Sequence, residues 1–120
     1  MRPHIDGTGF GWIEIDGQRY DHDVLIRLSG KIKKRKKKLS KAVHGTSHVI
    51  SLEEAKHVYE EGAALLVLGS GQSGCVTLSE EASTYFDHLR CEVHLQPTPQ
   101  ALAAWNEAEQ GSIGLFHVTC

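Results

Sequence analysis

The chain has 120 residues, of which 40% are hydrophobic and 23% charged, a balance suited to a single domain that buries roughly two thirds of its unfolded surface. Its longest unbroken apolar run, Ala63 to Leu68, is six residues against the ~18 that a membrane-crossing helix needs, and Met1-Arg2-Pro3-His4 does not resemble a signal peptide, so a soluble, non-secreted protein is expected. The formal net charge of -2 conceals a segregation: residues 27 to 41 hold nine of the 13 Lys and Arg and none of the 15 acids.

From Gly9 to Leu28 the pattern is that of an antiparallel meander. Phe10, Trp12 and Glu14 alternate with Ile13 and Ile15, Asp16-Gly17 is a two-residue hairpin signal, and Val24 to Leu28 is a second β-rich run. Ser29-Gly30 breaks the chain. Lys31 to Lys38 then reads as extended or coiled, Val43 to His48 as a loop, and no helix is expected in this half.

Ser51-Leu52-Glu53-Glu54 has the form of a capping box, with Ser51 accepting from the Glu54 amide and the Glu54 side chain reaching back. The spacing of Leu52, Ala55, Val58 and Tyr59 predicts a helix with its acids outside, ending at Gly62. Leu65 to Leu68, apolar on both faces, reads as a central strand, followed by the glycine-rich Gly69 to Gly74. Cys75 to Leu78 suits a short strand. Ser79 caps a helix to about Arg90 with Ala82, Phe86 and Leu89 inside, and Glu92 to Leu95 returns as a strand. Thr98 as cap and Pro99 at the first helical position start a third helix, with Leu102, Trp105 and Ala108 inside and Gly111 as its end; Ile113 to Val118 is the last buried strand. Repeated strand-helix-strand units predict one α/β domain over residues 1 to 120: a mixed sheet, a three-layer arrangement, an N-terminal antiparallel meander and helices packed on a largely parallel C-terminal part. Trp12, Trp105, Phe86 and Phe116 are read as core.

Four segments in order, Gly45-Thr46-Ser47-His48, Val67 to Gln72, Thr98-Pro99 and the ending Gly114-Leu115-Phe116-His117-Val118-Thr119-Cys120, resemble the Mth-type (DUF498) domain family over essentially the whole chain. Relatives in that family include an adipogenesis-associated human protein and a mitochondrial complex I assembly factor, and the opening Ile5 to Asp23 with the basic run is most similar to prokaryotic members. The resemblance implies a three-layer α/β fold around a mixed sheet. It implies no established activity, and through the mitochondrial relative it suggests an assembly role.

Gly69 to Gly74 spells G-x-G-x-x-G, the pattern that lets a backbone approach a pyrophosphate at a helix N-terminus. Here no helix opens at Gly74 and no acid ends the next strand, so no nucleotide cofactor is expected, although consecutive amides in the loop could take an anion. Lys31 to Lys38 carries seven cations in eight residues and suits phosphates. It has no interleaved aromatic for single-stranded nucleic acid, and a solvated edge whose lysines block sheet-to-sheet association is the simplest account of it, ahead of an acidic protein partner and of nucleic acid. His44 and His48 have helix-face spacing but lie in a loop, and His117 and Cys120 point to opposite faces of a strand, so no metal site is expected. Cys120 with His117 or His48, and Thr46 or Ser47 with His48, are nucleophile-base pairs on paper without a placed carboxylate. Cys75, Cys91 and Cys120 form no C-x-x-C pair and no disulfide framework, which points to a reducing cytoplasm.

These readings converge on a small cytoplasmic interaction or assembly module, self-associating or binding a protein partner through Lys33, Lys34, Arg35, Lys36, Lys37 and Lys38. Two alternatives stay open. One is a small enzyme or anion-binding protein whose site is lined by Thr46, His48, Gly69, Gly71, Gln72 and His117. The other is a nucleic-acid accessory protein using the basic run.

Overall fold

A computed structural model describes residues 2–120. β1 (Ile5–Gly9), β2 (Trp12–Ile15) and β3 (Gln18–Tyr20) form an antiparallel three-stranded sheet. The β2–β3 turn is made by Asp16 and Gly17 with φ of 48° and 78°, the pair of positive values that a type I′ hairpin requires. β4 (Val24–Ile26) and β5 (Ile32–Lys34) pair antiparallel and lead to α1 (Lys38–His44), β6 (Val49–Ile50) and α2 (Leu52–Val58). The remainder is β7 (Leu65–Ser70), β8 (Thr77–Leu78), α3 (Glu80–His88), β9 (Glu92–Gln96), α4 (Thr98–Glu107) and β10 (Ser112–His117).

The main sheet has the order β5-β4-β10-β7-β9. β10, β7 and β9 run parallel, and β4 is antiparallel to β10, so the mixed sheet is as expected. Period-two alternation splits its side chains between two cores. Leu25, Leu66, Leu68, Ile113 and Leu115 pack with Ala55, Val58, Ala82 and Phe86 of α2 and α3. Val24, Ile26, Val67 and Phe116 pack with Ala101 and Trp105 of α4 and with Ile5, Ile13 and Ile15 of the small sheet. Three layers result, with the five-stranded sheet in the middle. No helix among the described residues is long and apolar enough to cross a membrane.

Several local expectations are corrected. The first half does contain a helix: α1 begins inside the basic run and ends at Gly45, whose φ of 72° and N–H bonded to the Lys41 carbonyl close it. It lacks an apolar stripe, and its inward anchor is the buried hydroxyl of Ser40, so hydrophobic periodicity could not reveal it. α2 stops at Val58, before Gly62, because Tyr59 is already extended. α4 stops at Glu107, before Gly111, and its N-cap is Pro97, with Thr98 inside the helix. Leu89 is 37% exposed rather than interior. Trp12 is only half-buried, lying flat over Gly9, where a Cβ would come within 2.5 Å of its indole nitrogen.

Candidate functional site

The basic run is not a uniform face. Lys33, Lys34, Lys36 and Lys38 are exposed and Lys37 half-buried, whereas Arg35 is 4% exposed. Its guanidinium donates from Nε to Glu54 Oε2 at 2.7 Å, from Nη2 to Glu54 Oε1 at 2.9 Å and to the Ser47 carbonyl at 2.8 Å, and from Nη1 to Asp23 Oδ2 at 3.0 Å. This is the bidentate fork that suits arginine and that lysine cannot make. Ser51 caps α2 as expected, its hydroxyl accepting from the Glu54 amide at 3.1 Å. The Glu54 carboxylate does not close the box. It turns inward, is 1% exposed, and accepts from Ser40 Oγ at 2.5 Å as well as from Arg35.

Asp23, at the entry to β4, extends this cluster to the carboxyl end of β10. Its Oδ1 accepts from the Val118 amide at 2.9 Å, and its Oδ2 lies 2.7 Å from His117 Nδ1 and 3.7 Å from Lys37 Nζ. Burial pushes the Asp23 carboxyl upward, but the hydrogen bond and charge of His117, the Val118 amide and the Lys37 charge outweigh it and hold the carboxyl at about 2. An ionised carboxylate only accepts, so His117 presents Nδ1–H to it. In its neutral form the ring accepts at Nε2, which lies 3.0 Å from Thr119 Oγ1. Hydroxyl, imidazole and carboxylate thus stand in one line.

The ring is held from two further sides. His48 packs edge-on against it, with centroids 5.4 Å apart at 74°. At Gly71, φ is 103°, and a Cβ would stand 2.8 Å from His117 Cδ2 and 2.7 Å from the Cys120 carbonyl oxygen, so only glycine fits there.

Beside this line opens a cleft of about 590 Å³. It is lined by the 34–38 segment, by Gly11, by Asp21, His22 and Asp23, and by Val118 and Thr119. Four lysines, Lys34, Lys36, Lys37 and Lys38, thus share the lining with Thr119.

The six residues expected to line a ligand site are distributed differently. His48, Gly71 and His117 do come together, but as packing around the imidazole. Thr46 Oγ1 accepts from the His48 amide at 3.1 Å. Gln72 donates from Nε2 to Thr8 Oγ1 at 3.0 Å, tying the loop to the small sheet. Gly69 lies in β7, where a Cβ would meet Phe116 and Thr98 at 2.8 Å. None of the six lines the cleft. The loop amides are also spent inside the protein. Gly71 N–H donates to Thr98 Oγ1, Gln72 N–H to the Thr119 carbonyl, Ser73 and Cys75 N–H to the Cys120 carbonyl, and Gly74 N–H to the Gly71 carbonyl. That leaves no row of free N–H groups for an anion there. What sequence reasoning missed is Asp23, Glu54 and Thr119, together with the inward course of Arg35. The one available signal was a lone arginine among lysines, since arginine is the cation suited to a buried, forked pair.

Among the described residues, no three His, Cys, Asp or Glu side chains are grouped to hold a metal ion. No curated protein matches the chain. Its structure is similar to that of the conserved hypothetical protein PH1505 from Pyrococcus horikoshii, with 36% identity, 97% of this chain and 98% of that one covered, and a TM-score of 0.89. It is similar to MT938 at 27% identity, with 98% and 99% of the two chains covered and a TM-score of 0.82. A Mth938-like domain from Bordetella pertussis shares the fold at 14% identity and a TM-score of 0.61, with 97% of this chain and 85% of that one covered. A family profile described as a protein of unknown function, DUF498/DUF598, matches residues 5–113, and the chain belongs to that family.

Proposed function

We propose that this protein binds a small carboxylate- or phosphate-bearing molecule in the cleft between the 34–38 segment and the end of β10. The observation that carries the reading is a cleft lined by four lysines together with Thr119. Ammonium groups lining a concavity attract an anion and focus the field on it, while a hydroxyl in the same lining supplies orientation. The volume suits a metabolite-sized ligand. The glycine-loop site expected from the sequence is thereby moved along β10 to the cleft. Three free cysteines fit a reducing compartment and support the cytoplasm as its place of action.

The test is a thermal-shift series with inorganic phosphate and citrate against sodium chloride at matched ionic strength. A ligand that binds only the folded state raises Tm, by about 10 °C at a hundredfold excess over Kd for a domain of this length. The rise should be lost in a Lys34→Ser, Lys36→Ser, Lys38→Ser variant, which alters only exposed side chains. An equal rise with chloride, or an undiminished one in the variant, overturns the reading. An interaction or assembly module would use the same lysines for an acidic protein partner. It would show instead as salt-sensitive association in sedimentation, without any response to the small anions.

A further inference from the structure

We propose that Thr119 is a nucleophile, activated by His117 and Asp23, and that the cleft carries out acyl transfer on an ester or thioester with an anionic acyl group. The anionic class rests on the reading of the cleft given above; the nucleophile rests on separate geometry. His117 is 2% exposed and Asp23 2% exposed, and Asp23 alone would satisfy a structural imidazole through one nitrogen. The second nitrogen is spent on the hydroxyl of Thr119, a residue that lines the cleft. Each nitrogen faces the partner that general-base activation of a hydroxyl requires: carboxylate at Nδ1, 2.7 Å, and hydroxyl oxygen at Nε2, 3.0 Å. With the ring neutral and its Nδ1–H on Asp23, Nε2 is the acceptor and the Thr119 hydroxyl donates, which leaves its oxygen lone pairs free for attack on a molecule in the cleft.

The parts are also rigidly held. Asp23 is fixed at both oxygens by Val118 N–H and Arg35, Arg35 is fixed by Glu54 and the Ser47 carbonyl, and His48 and Gly71 close on the ring. Such a supporting shell is what keeps a catalytic line within the narrow tolerance that reaction needs. The charge of the lining suits the chemistry as well, since lysine ammoniums in the same cleft favour the negative charge that develops on an acyl oxygen.

The step balances as follows. Thr119 Oγ1 attacks the acyl carbon as its proton passes to His117 Nε2. The bond from the acyl carbon to the alcohol oxygen or thiol sulfur breaks, and that leaving group takes the proton from Nε2. Water then attacks the Thr119 ester by the same route, giving its proton to Nε2 and then to Thr119 Oγ1, which releases the carboxylic acid and restores the side chains. Water is the only co-reactant.

The experiment is labelling of the intact protein with a fluorophosphonate, which forms a Thr119 Oγ–P bond and expels fluoride, followed by mass measurement and peptide mapping. One adduct on Thr119 is expected. Thr119→Ala should label about 100-fold more slowly or not at all, and Thr119→Ser, which restores a hydroxyl, should return to within about tenfold of the parent rate. Both changes are at a half-buried position that leaves the core untouched. Asp23 acts as a positioning residue, so Asp23→Asn should label about tenfold more slowly or worse and shift the pH profile of labelling, the amide being able to turn the imidazole the wrong way round. Phosphate or citrate should slow labelling of the parent by occupying the cleft. No adduct, or one mapping away from Thr119, or equal rates in Thr119→Ala, overturns the nucleophile even where anions raise Tm. Labelling of Thr119 that anions do not slow overturns the anionic substrate class and leaves the nucleophile standing.

Discussion

Replacing Arg35 by methionine keeps most of the side chain's length and removes its charge. Four hydrogen bonds go with it, at 2.7, 2.8, 2.9 and 3.0 Å, three of them to carboxylates. Glu54 is 1% exposed and has no other cation within salt-bridge distance among the described residues, so its charge is left buried with Ser40 alone. Removing one partner of a buried pair costs about 3–5 kcal/mol, because the abandoned ion keeps its desolvation penalty. For 120 residues at about 2 cal/mol/K of unfolding entropy each, this corresponds to a fall in Tm of about 12–20 °C. Lys36→Met, one residue away but exposed, should change stability by no more than about 0.5 kcal/mol. Urea unfolding followed by fluorescence of the buried Trp105 and by circular dichroism gives both values from one assay. A second arm separates the lost pair from lost packing. Arg35→Met with Glu54→Leu removes the stranded charge and should recover a large part of the loss. If Arg35→Met lies within about 1 kcal/mol of Lys36→Met, or if the double variant is worse than the single by the full cost of a second core lesion, the buried ion cluster is not what fastens β5 and α1 to the sheet.

Other expectations follow from the same geometry. Asp23 is held at about 2 against an ordinary 3.8, so its ionised form favours the folded state; that contribution, on the order of 2 kcal/mol, is complete above pH 3.8 and is lost as pH falls toward 2. Urea midpoints between pH 5 and pH 2.5 should therefore fall more steeply in the parent than in Asp23→Asn, and parallel slopes would count against the pairing. Gly71→Ala puts a methyl against the His117 ring and the Cys120 carbonyl at a positive φ, which should cost more than about 1 kcal/mol and abolish phosphonate labelling; a stable, reactive Gly71→Ala protein would show that the contact is not needed. Ser79→Ala removes the acceptor for the Ala82 amide, 3.0 Å away, and should lower stability by about 1 kcal/mol in denaturant melts, with no effect on anion binding. Cys75 and Cys120 are exposed, whereas Cys91 is buried and its thiol pushed up to about 11 by desolvation; alkylation without reductant should modify two cysteines in the native protein and three after unfolding, and a mass short of three would reveal a disulfide.

Elements whose signals are local were legible in the chain itself. Asp16-Gly17 makes the hairpin because its two residues alone satisfy the turn's dihedrals. Ser51 and Ser79 cap their helices because each needs only an amide three residues away. The apolar runs of β7 and β10 could be covered only in the centre of a sheet. Tertiary structure decided the residues whose partners are remote. Thr98 looks like a cap, yet Pro97 takes that place, and the Thr98 hydroxyl bridges Gly71 N–H to the His117 carbonyl at 2.9 and 2.6 Å. Glu54 looks like the far end of a capping box, yet the unmatched guanidinium of Arg35 draws it inward. Asp23 and His117 are 94 residues apart in sequence and 2.7 Å apart in space. No periodicity or short motif records such a pair. A buried charge settles where the folded chain offers it the most compensation, and that place exists only once the sheet has brought β4, β5, α2 and β10 together.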